Sequence, residues 1–251
     1  MIDAHCHLEQ KDYNKDRDEV IARCREKMDA VVTSCAYPDD FDLTISLKKQ
    51  YPDFIYVCVG IHPEYIKELK QEQKDELIEK IKGNKDLISG IGEVGLDYYW
   101  IKEEDFRERQ KQMFKEFIGL AKELNKPIVI HSRDAHEDTL DILEEAKAER
   151  VLLHLWGANQ LVGRIIENRW NVSFGPILLR SKKHKKICRD MPLDKIMLET
   201  DSPWFGENGQ RNEPTSVEKV IERIAKIKKL EANEVDIATT QNAKKFFGIG
   251  G

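Results

Sequence analysis

Short apolar runs recur along the chain, and a stretch of helical spacing follows each one. The runs occupy residues 1–8, 30–35, 54–61, 87–92, 127–130, 151–153, 170–174 and 196–201. They are rich in Val, Ile and Leu and continuous rather than alternating, the pattern of strands buried on both faces. Helical periodicity covers residues 17–27, 41–50, 71–82, 103–124, 136–147, 160–168 and 182–189, with two closing helices over 216–230 and 233–246. The longest carries Phe106, Met113, Phe117, Leu120 and Leu124 at helical spacing, a stripe that suits a core face better than a cofactor surface.

Alternation of strand and helix gives parallel pairing, because each helix is the crossover between neighbouring strands. Eight such units predict an α/β fold of the closed (β/α)8 TIM-barrel type, a single domain over residues 1–251. An open doubly wound sheet is disfavoured. No Gly-x-Gly-x-x-Gly follows the first strand, and no phosphate loop of the Gly-x-x-x-x-Gly-Lys-Ser/Thr kind occurs.

The barrel makes the position of the polar residues informative. His5 and His7 follow strand one, His62 strand three, Glu93 strand four, His131 strand five and His154 strand six, while Glu199 and Asp201 finish strand eight. Only His136 and His184 fall elsewhere. In a closed barrel all strand C-termini open onto one face, where catalysis occurs. Residues nearly 200 apart in sequence would thus surround one cavity. Strand alternation turns Asp3, His5 and His7 to a common side, with Ala4 and Cys6 opposite. One His or one carboxylate of this kind has an ordinary structural explanation, but their joint placement predicts a metal centre.

Four imidazoles and two carboxylates exceed what one ion holds. Two divalent ions, Mg, Mn or Zn, bridged by Glu93 would use them all. One would take His5, His7, Glu93 and Asp201, the other Glu93, His131 and His154. Water held between the ions would attack, with Asp201 orienting it and accepting its proton. Asp201 and Glu93 are therefore the expected catalytic residues. Glu199, on the face of Asp201 by strand period, would support the ligands from behind.

Composition narrows the class of protein. The formal net charge is −5, which argues against a broad basic surface for nucleic acid. It leaves a nucleic-acid substrate open, since two divalent ions would supply the positive charge where a phosphate sits. Five irregularly spaced Cys without Cys-x-x-Cys predict reduced thiols and a cytoplasmic setting rather than a disulfide framework. Charge and His arrive within the first seven residues, so no signal peptide is expected. No apolar run approaches the ~18 residues of a membrane helix.

At this point the motifs resemble a known family. Asp3-Ala4-His5-Cys6-His7-Leu8, Gly60-Ile61-His62-Pro63, Gly92-Glu93-Val94-Gly95-Leu96-Asp97-Tyr98, His131-Ser132-Arg133-Asp134-Ala135 and Glu199-Thr200-Asp201-Ser202-Pro203 are similar to those of the TatD family of metal-dependent deoxyribonucleases, in the amidohydrolase superfamily. Gln210-Arg211-Asn212-Glu213-Pro214 and Gln241-Asn242-Ala243-Lys244-Lys245-Phe246-Phe247-Gly248 extend the match. The resemblance implies a TIM barrel, two metal ions and phosphodiester hydrolysis, as a 3′→5′ exonuclease on single-stranded DNA. It also implies that His62, Arg133 and Arg211 lie near substrate phosphate, where a guanidinium donates two hydrogen bonds. One departure stands out. After His154 the family carries Cys-Phe-Ser-Gly, whereas this chain has Leu155-Trp156-Gly157-Ala158. Two other functions fit such a scaffold, a small-molecule amidohydrolase or phosphoesterase and a non-catalytic barrel that binds nucleic acid or protein.

Overall fold

A computed structural model describes residues 1–250. Eight parallel strands lie in the order β1 to β8: Ile2–Cys6, Ala30–Cys35, Ile55–Val59, Gly90–Asp97, Ile128–Arg133, Val151–Leu153, Asn171–Phe174 and Ile196–Leu198. Backbone hydrogen bonds from Asp201 N to His5 O (2.9 Å) and from His7 N to Ser202 O (2.8 Å) join the end of β8 to β1. The result is the (β/α)8 TIM barrel that the pattern predicts.

Nine α-helices accompany the strands among the described residues: α1 (Arg17–Arg25), α2 (Phe41–Gln50), α3 (Gln71–Gly83), α4 (Glu104–Glu123), α5 (His136–Glu145), α6 (Val162–Glu167), α7 (Lys182–Asp190), α8 (Val217–Lys228) and α9 (Ala232–Phe247). None is long and apolar enough to cross a membrane.

The core has two parts. The inner one gathers Ile2, Ala4, Ala30, Val32, Cys58, Val129, Leu152 and Met197 from alternate strand positions. Phe246, Phe247 and Ile249 join them, so the end of α9 closes the barrel at the start of its strands, opposite the candidate ligands. The outer part packs helices on the sheet, with Phe114 and Phe117 of α4 fully buried. A buried Phe is worth about 3–5 kcal/mol against Ala, so these contacts fix the strands that carry the site. The five cysteines are free and buried.

Three departures from the sequence pattern matter for function. Strand four does not end at Glu93. β4 runs on to Asp97, and its pairing with β5 shifts register between Ile91 and Val94. Gly92 and Gly95 sit at φ +139° and +145° there, and a Cβ on Gly95 would overlap the carbonyl of His131. Glycine lets β4 and β5 approach where the shift turns Glu93 inward.

The first strand also shifts register between Asp3 and Cys6. Asp3 therefore does not share a face with His5 and His7. Its carboxylate accepts bonds from Thr200 N (3.0 Å), Thr200 Oγ1 (2.5 Å) and His5 N (3.1 Å), tying β1 to the segment after β8. Strand eight stops at Leu198, and Asp201 adopts φ +53°. Strand period thus does not relate Glu199 to Asp201. The two face different neighbours.

Candidate metal centre

Glu93 is buried at the centre of the barrel mouth, and its two oxygens face different imidazole pairs. Oε2 lies 3.2 Å from His5 Nε2 and 3.5 Å from His7 Nε2. Oε1 lies 2.9 Å from His131 Nδ1 and 2.8 Å from His154 Nε2. Asp201 Oδ1 sits on the first side, 3.3 Å from His7 Nε2 and 3.6 Å from His5 Nε2. Two donor clusters result, His5–His7–Glu93 and Glu93–His131–His154, while His5, His154 and Asp201 form a third overlapping set. All six candidate ligands named from sequence are therefore together.

The outer nitrogens decide which inner nitrogens can offer a lone pair. His7 Nδ1 lies 3.1 Å from Glu9 Oε1, His131 Nε2 2.9 Å from Asp97 Oδ2, and His5 Nδ1 3.1 Å from Ser34 Oγ. His154 Nδ1 points at Glu199 Oε2 from 3.4 Å. An ionised carboxylate only accepts, so it fixes the ring proton on the nitrogen it faces. In a neutral ring the opposite nitrogen of His7 or His131 would then be free to ligate an ion, whereas the protonated ring donates from both nitrogens, His131 to Asp97 and to Glu93 alike. His5 and His7 bring their Nε2 atoms within 3.2 Å, and His131 Nδ1 and His154 Nε2 within 3.3 Å. Neutral rings would repel at such contacts, whereas a shared cation or proton relieves them. Each donor cluster holds two imidazoles and one carboxylate, a set that fits Zn or Mn better than Mg.

The supporting residues extend beyond Glu199, the only one found from sequence. Glu9 holds His7 and accepts from Thr33 Oγ1 at 2.8 Å. Glu199 accepts from Ser173 Oγ and from Leu155 N, both at 2.8 Å. Asp97 holds His131 and also accepts from Tyr99 N (2.9 Å) and Trp100 N (2.8 Å). Spacing could have pointed to them, since Asp97 follows Glu93 and Gly95 at alternate positions of β4, and Glu9 stands two residues after His7 in the turn beyond β1. Replacing Asp97 by Ala should free the His131 ring and weaken metal binding about 10–100-fold. Titration of the stripped protein with zinc reads this directly, and an unchanged affinity would remove Asp97 from the support.

Charge is balanced within the cluster. Burial pushes the Glu93 carboxyl up, but His154, His62, His5 and the His131 hydrogen bond outweigh it and hold it well below the usual range. Asp201 is likewise held down, as bonding to His7 and the charge of His154 overcome burial. Burial lowers His7, His131 and His154, yet their carboxylate partners raise all three above the ordinary value. A raised imidazole pKa adds stability that is complete below the unfolded value of about 6.5 and is lost as pH rises through the folded value. The lowered carboxyls lose their contribution only in acid. The metal-stripped protein should therefore melt at a lower temperature at about pH 9 than at about pH 6. An ion at 100 times its Kd would add about 2.7 kcal/mol at the higher pH, roughly 5–10 °C in Tm for a chain of this size. A melting temperature flat in pH and unmoved by metal would contradict this account.

The three residues expected at substrate differ in what surrounds them. His62 borders the cluster, with Nε2 3.6 Å from Glu93 Oε1. Its Nδ1 accepts from Glu64 N at 3.2 Å, so Nε2 carries the proton. Burial, with His131 adding to it, pushes its pKa down to about 3, so the ring is a neutral donor. Arg133 is exposed at the end of β5, its guanidinium 3.8 Å above the Tyr99 ring and 5.6 Å from that of Trp100. Arg211 is already engaged. It makes two 2.6 Å bonds to Asp16, a 2.9 Å bond to Asp12 O, and stacks on Tyr13. That fork pins the loop after Pro203 to the loop before α1, and phosphate would have to compete with Asp16 for it. Of the altered loop, Trp156 is buried, its Nε1 bonded to Ala158 O at 3.0 Å and its ring edge-on to His136. It packs rather than facing the mouth.

Comparison with known proteins agrees with the geometry. The model of TatD-related DNases matches residues 2–248. An uncharacterized metal-dependent hydrolase of Methanocaldococcus jannaschii is 38% identical over 98% of this chain and 96% of its own length. Human deoxyribonuclease TATDN3 is 34% identical over 98% of this chain and 94% of its own. The crystal structure of YjjV, a TatD homologue from Escherichia coli, superimposes with a TM-score of 0.91, covering 99% and 98% of the two chains at 23% identity. A mouth that gathers His5, His7, Glu93, His131, His154 and Asp201, on a chain matched nearly end to end, has one reading: this protein belongs to the TatD-related DNase family of metal-dependent hydrolases.

Proposed function

We propose that the chain hydrolyses phosphodiester bonds of DNA with two divalent ions, as a 3′→5′ exodeoxyribonuclease. The observation that carries the two-ion reading is the orientation of Glu93, whose separate oxygens face separate imidazole pairs. A single-ion site would need no such division. The DNA substrate is supported by the family and by the named human relative. The 3′→5′ polarity rests on the family resemblance. Free, buried thiols support a reducing, cytoplasmic setting.

The bound ions would lower the pKa of an attacking water and neutralise the phosphate. The chain does the rest. His5, His7 and Asp201 would hold one ion and His131 and His154 the other, with Glu93 contributing to both. Asp201, ionised at neutral pH, accepts the proton of the attacking water at a carboxylate oxygen. His62 donates from Nε2 to a phosphate oxygen as charge builds there. Arg133 offers its fork to the next phosphate while stacked on Tyr99.

Metal-stripped protein, reloaded with Mg, Mn or Zn, should shorten 5′-labelled single-stranded DNA from its 3′ end one nucleotide at a time. Release of label first from the 5′ end would reverse the polarity. Hydrolysis of a generic phosphodiester with every nucleic acid left intact would move the substrate to small molecules.

A further inference from the structure

The metal centre leaves unused a concentration of positive charge at the start of α7. Arg180, Lys182, Lys183, Lys185 and Lys186 fall within residues 180–186, with no acid among them. The chain as a whole carries −5, so the sign is locally inverted. All but Lys185 are exposed, and Lys185 is half-buried. Arg164 is paired with Asp141 and Glu144 and Arg189 with Asp190, while none of the five has a carboxylate partner among the described residues. Like charges one helical turn apart, such as Lys182 and Lys186, are destabilising. Stability does not account for the run.

The run borders the catalytic mouth. α7 follows β7, so its first turn lies at the end where the strands finish. His184 Nε2 is 3.4 Å from the carbonyl of Leu155, the residue after the candidate ligand His154. Lys183 Nζ lies 3.2 Å from where a Cβ would stand on Gly157, and His136 Nε2 lies 3.4 Å from the same point. Gly157, in the loop that departs from the family pattern, thus leaves room for the ammonium to lie across residues 155–158. A side chain there would push it away.

We propose that the 180–186 run, led by Lys182 and Lys183, is a track for the sugar-phosphate backbone of the nucleic-acid strand whose terminal bond lies in the metal centre. The proposal rests on the DNA reading above and extends it from the scissile phosphate to the strand behind it. Ammonium groups are compact point charges that meet phosphate oxygens without reading bases, so the track holds any sequence. A short fragment that fills only the metal centre does not reach it.

The test compares the wild type with Lys182→Gln/Lys183→Gln/Lys186→Gln on two substrates. One is a single strand of about 12 nucleotides, within the span of single-strand sites. The other is bis(p-nitrophenyl) phosphate, which reports the metal centre alone. The triple variant should raise KM for the oligonucleotide by about 10-fold or more at low salt. It should also flatten the slope of log KM against log salt by about 2, at ~0.7 per cation on a single strand. Its kcat/KM on the small diester and its metal content should match the wild type. Single Lys→Gln variants should show graded changes, which separates charge loss from misfolding. An oligonucleotide KM and salt slope equal to wild type, in a variant that still cleaves DNA, would overturn the track and leave the nuclease reading intact. A wild type that cleaves the small diester but neither binds nor cleaves the oligonucleotide would overturn both.

Discussion

Glu93→Ala is expected to lose hydrolysis while keeping the fold. The residue is not one of the apolar side chains that build the core, and the Gly92 and Gly95 contacts that set the β4 path remain. Four imidazoles, by contrast, lose their common acceptor. An ion contributes several kcal/mol of transition-state stabilisation, so kcat/KM should drop at least about 10³-fold, ~4 kcal/mol. Far-UV circular dichroism should match the wild type and metal content should fall below two ions per chain. Glu93→Gln sharpens the result. It keeps the volume but offers one acceptor oxygen instead of two. It should hold one ion at most and be nearly as inactive. Turnover near the wild-type rate in either variant would remove the bridge.

Asp201→Asn is expected to cut kcat about 10²–10⁴-fold, the range for loss of a positioned base. The effect should fall on turnover more than on metal affinity. The amide keeps an oxygen toward His5 and His7, where Asp201 Oδ1 now lies 3.6 and 3.3 Å away. It cannot accept the proton of an attacking water. Rapid-quench single-turnover kinetics in saturating metal separates the two roles. If raising the metal concentration restores full turnover, Asp201 is a ligand and not the proton acceptor.

The architecture was legible because strand and helix carry different hydrophobic periods, and parallel strands buried on both faces are apolar throughout. The gathering of the candidate ligands was legible for a related reason. Once the strands are parallel in a barrel, the polar residue that ends each apolar run must lie at the mouth. His5, His7, Glu93, His131, His154 and Asp201 follow from that rule.

Irregularity was not legible. Register shifts in β1 and between β4 and β5 put Asp3 away from the imidazoles and carry β4 past Glu93, and nothing in a period-two reading marks where a shift occurs. Glycines at 92 and 95 were the available sign, since glycine inside a strand often accompanies a bulge or a close approach. Side-chain pairing was also hidden. Arg211 and Arg133 look alike in sequence, but Asp16, almost 200 residues from Arg211, engages the first, while Tyr99 leaves the fork of the second open at the surface. The orienting carboxylates Glu9 and Asp97 were hidden because each lies past the residue that ends the apolar run, Glu9 in the turn after β1 and Asp97 at the end of the extended β4. Tyr99 and Trp100 stand exposed at the turn that Asp97 fixes, so one carboxylate links a candidate ligand to the rim of the mouth.

The claim on which the rest depends is that Glu93 lies between two ions. Anomalous diffraction from crystals soaked in manganese or zinc measures it without reference to any substrate. Two peaks about 3.5–4 Å apart, one beside His5, His7 and Asp201 and the other beside His131 and His154, with a Glu93 oxygen on each, are the predicted result. A single peak at full occupancy under saturating metal, with Glu93 bound through one oxygen or turned away, would contradict the account.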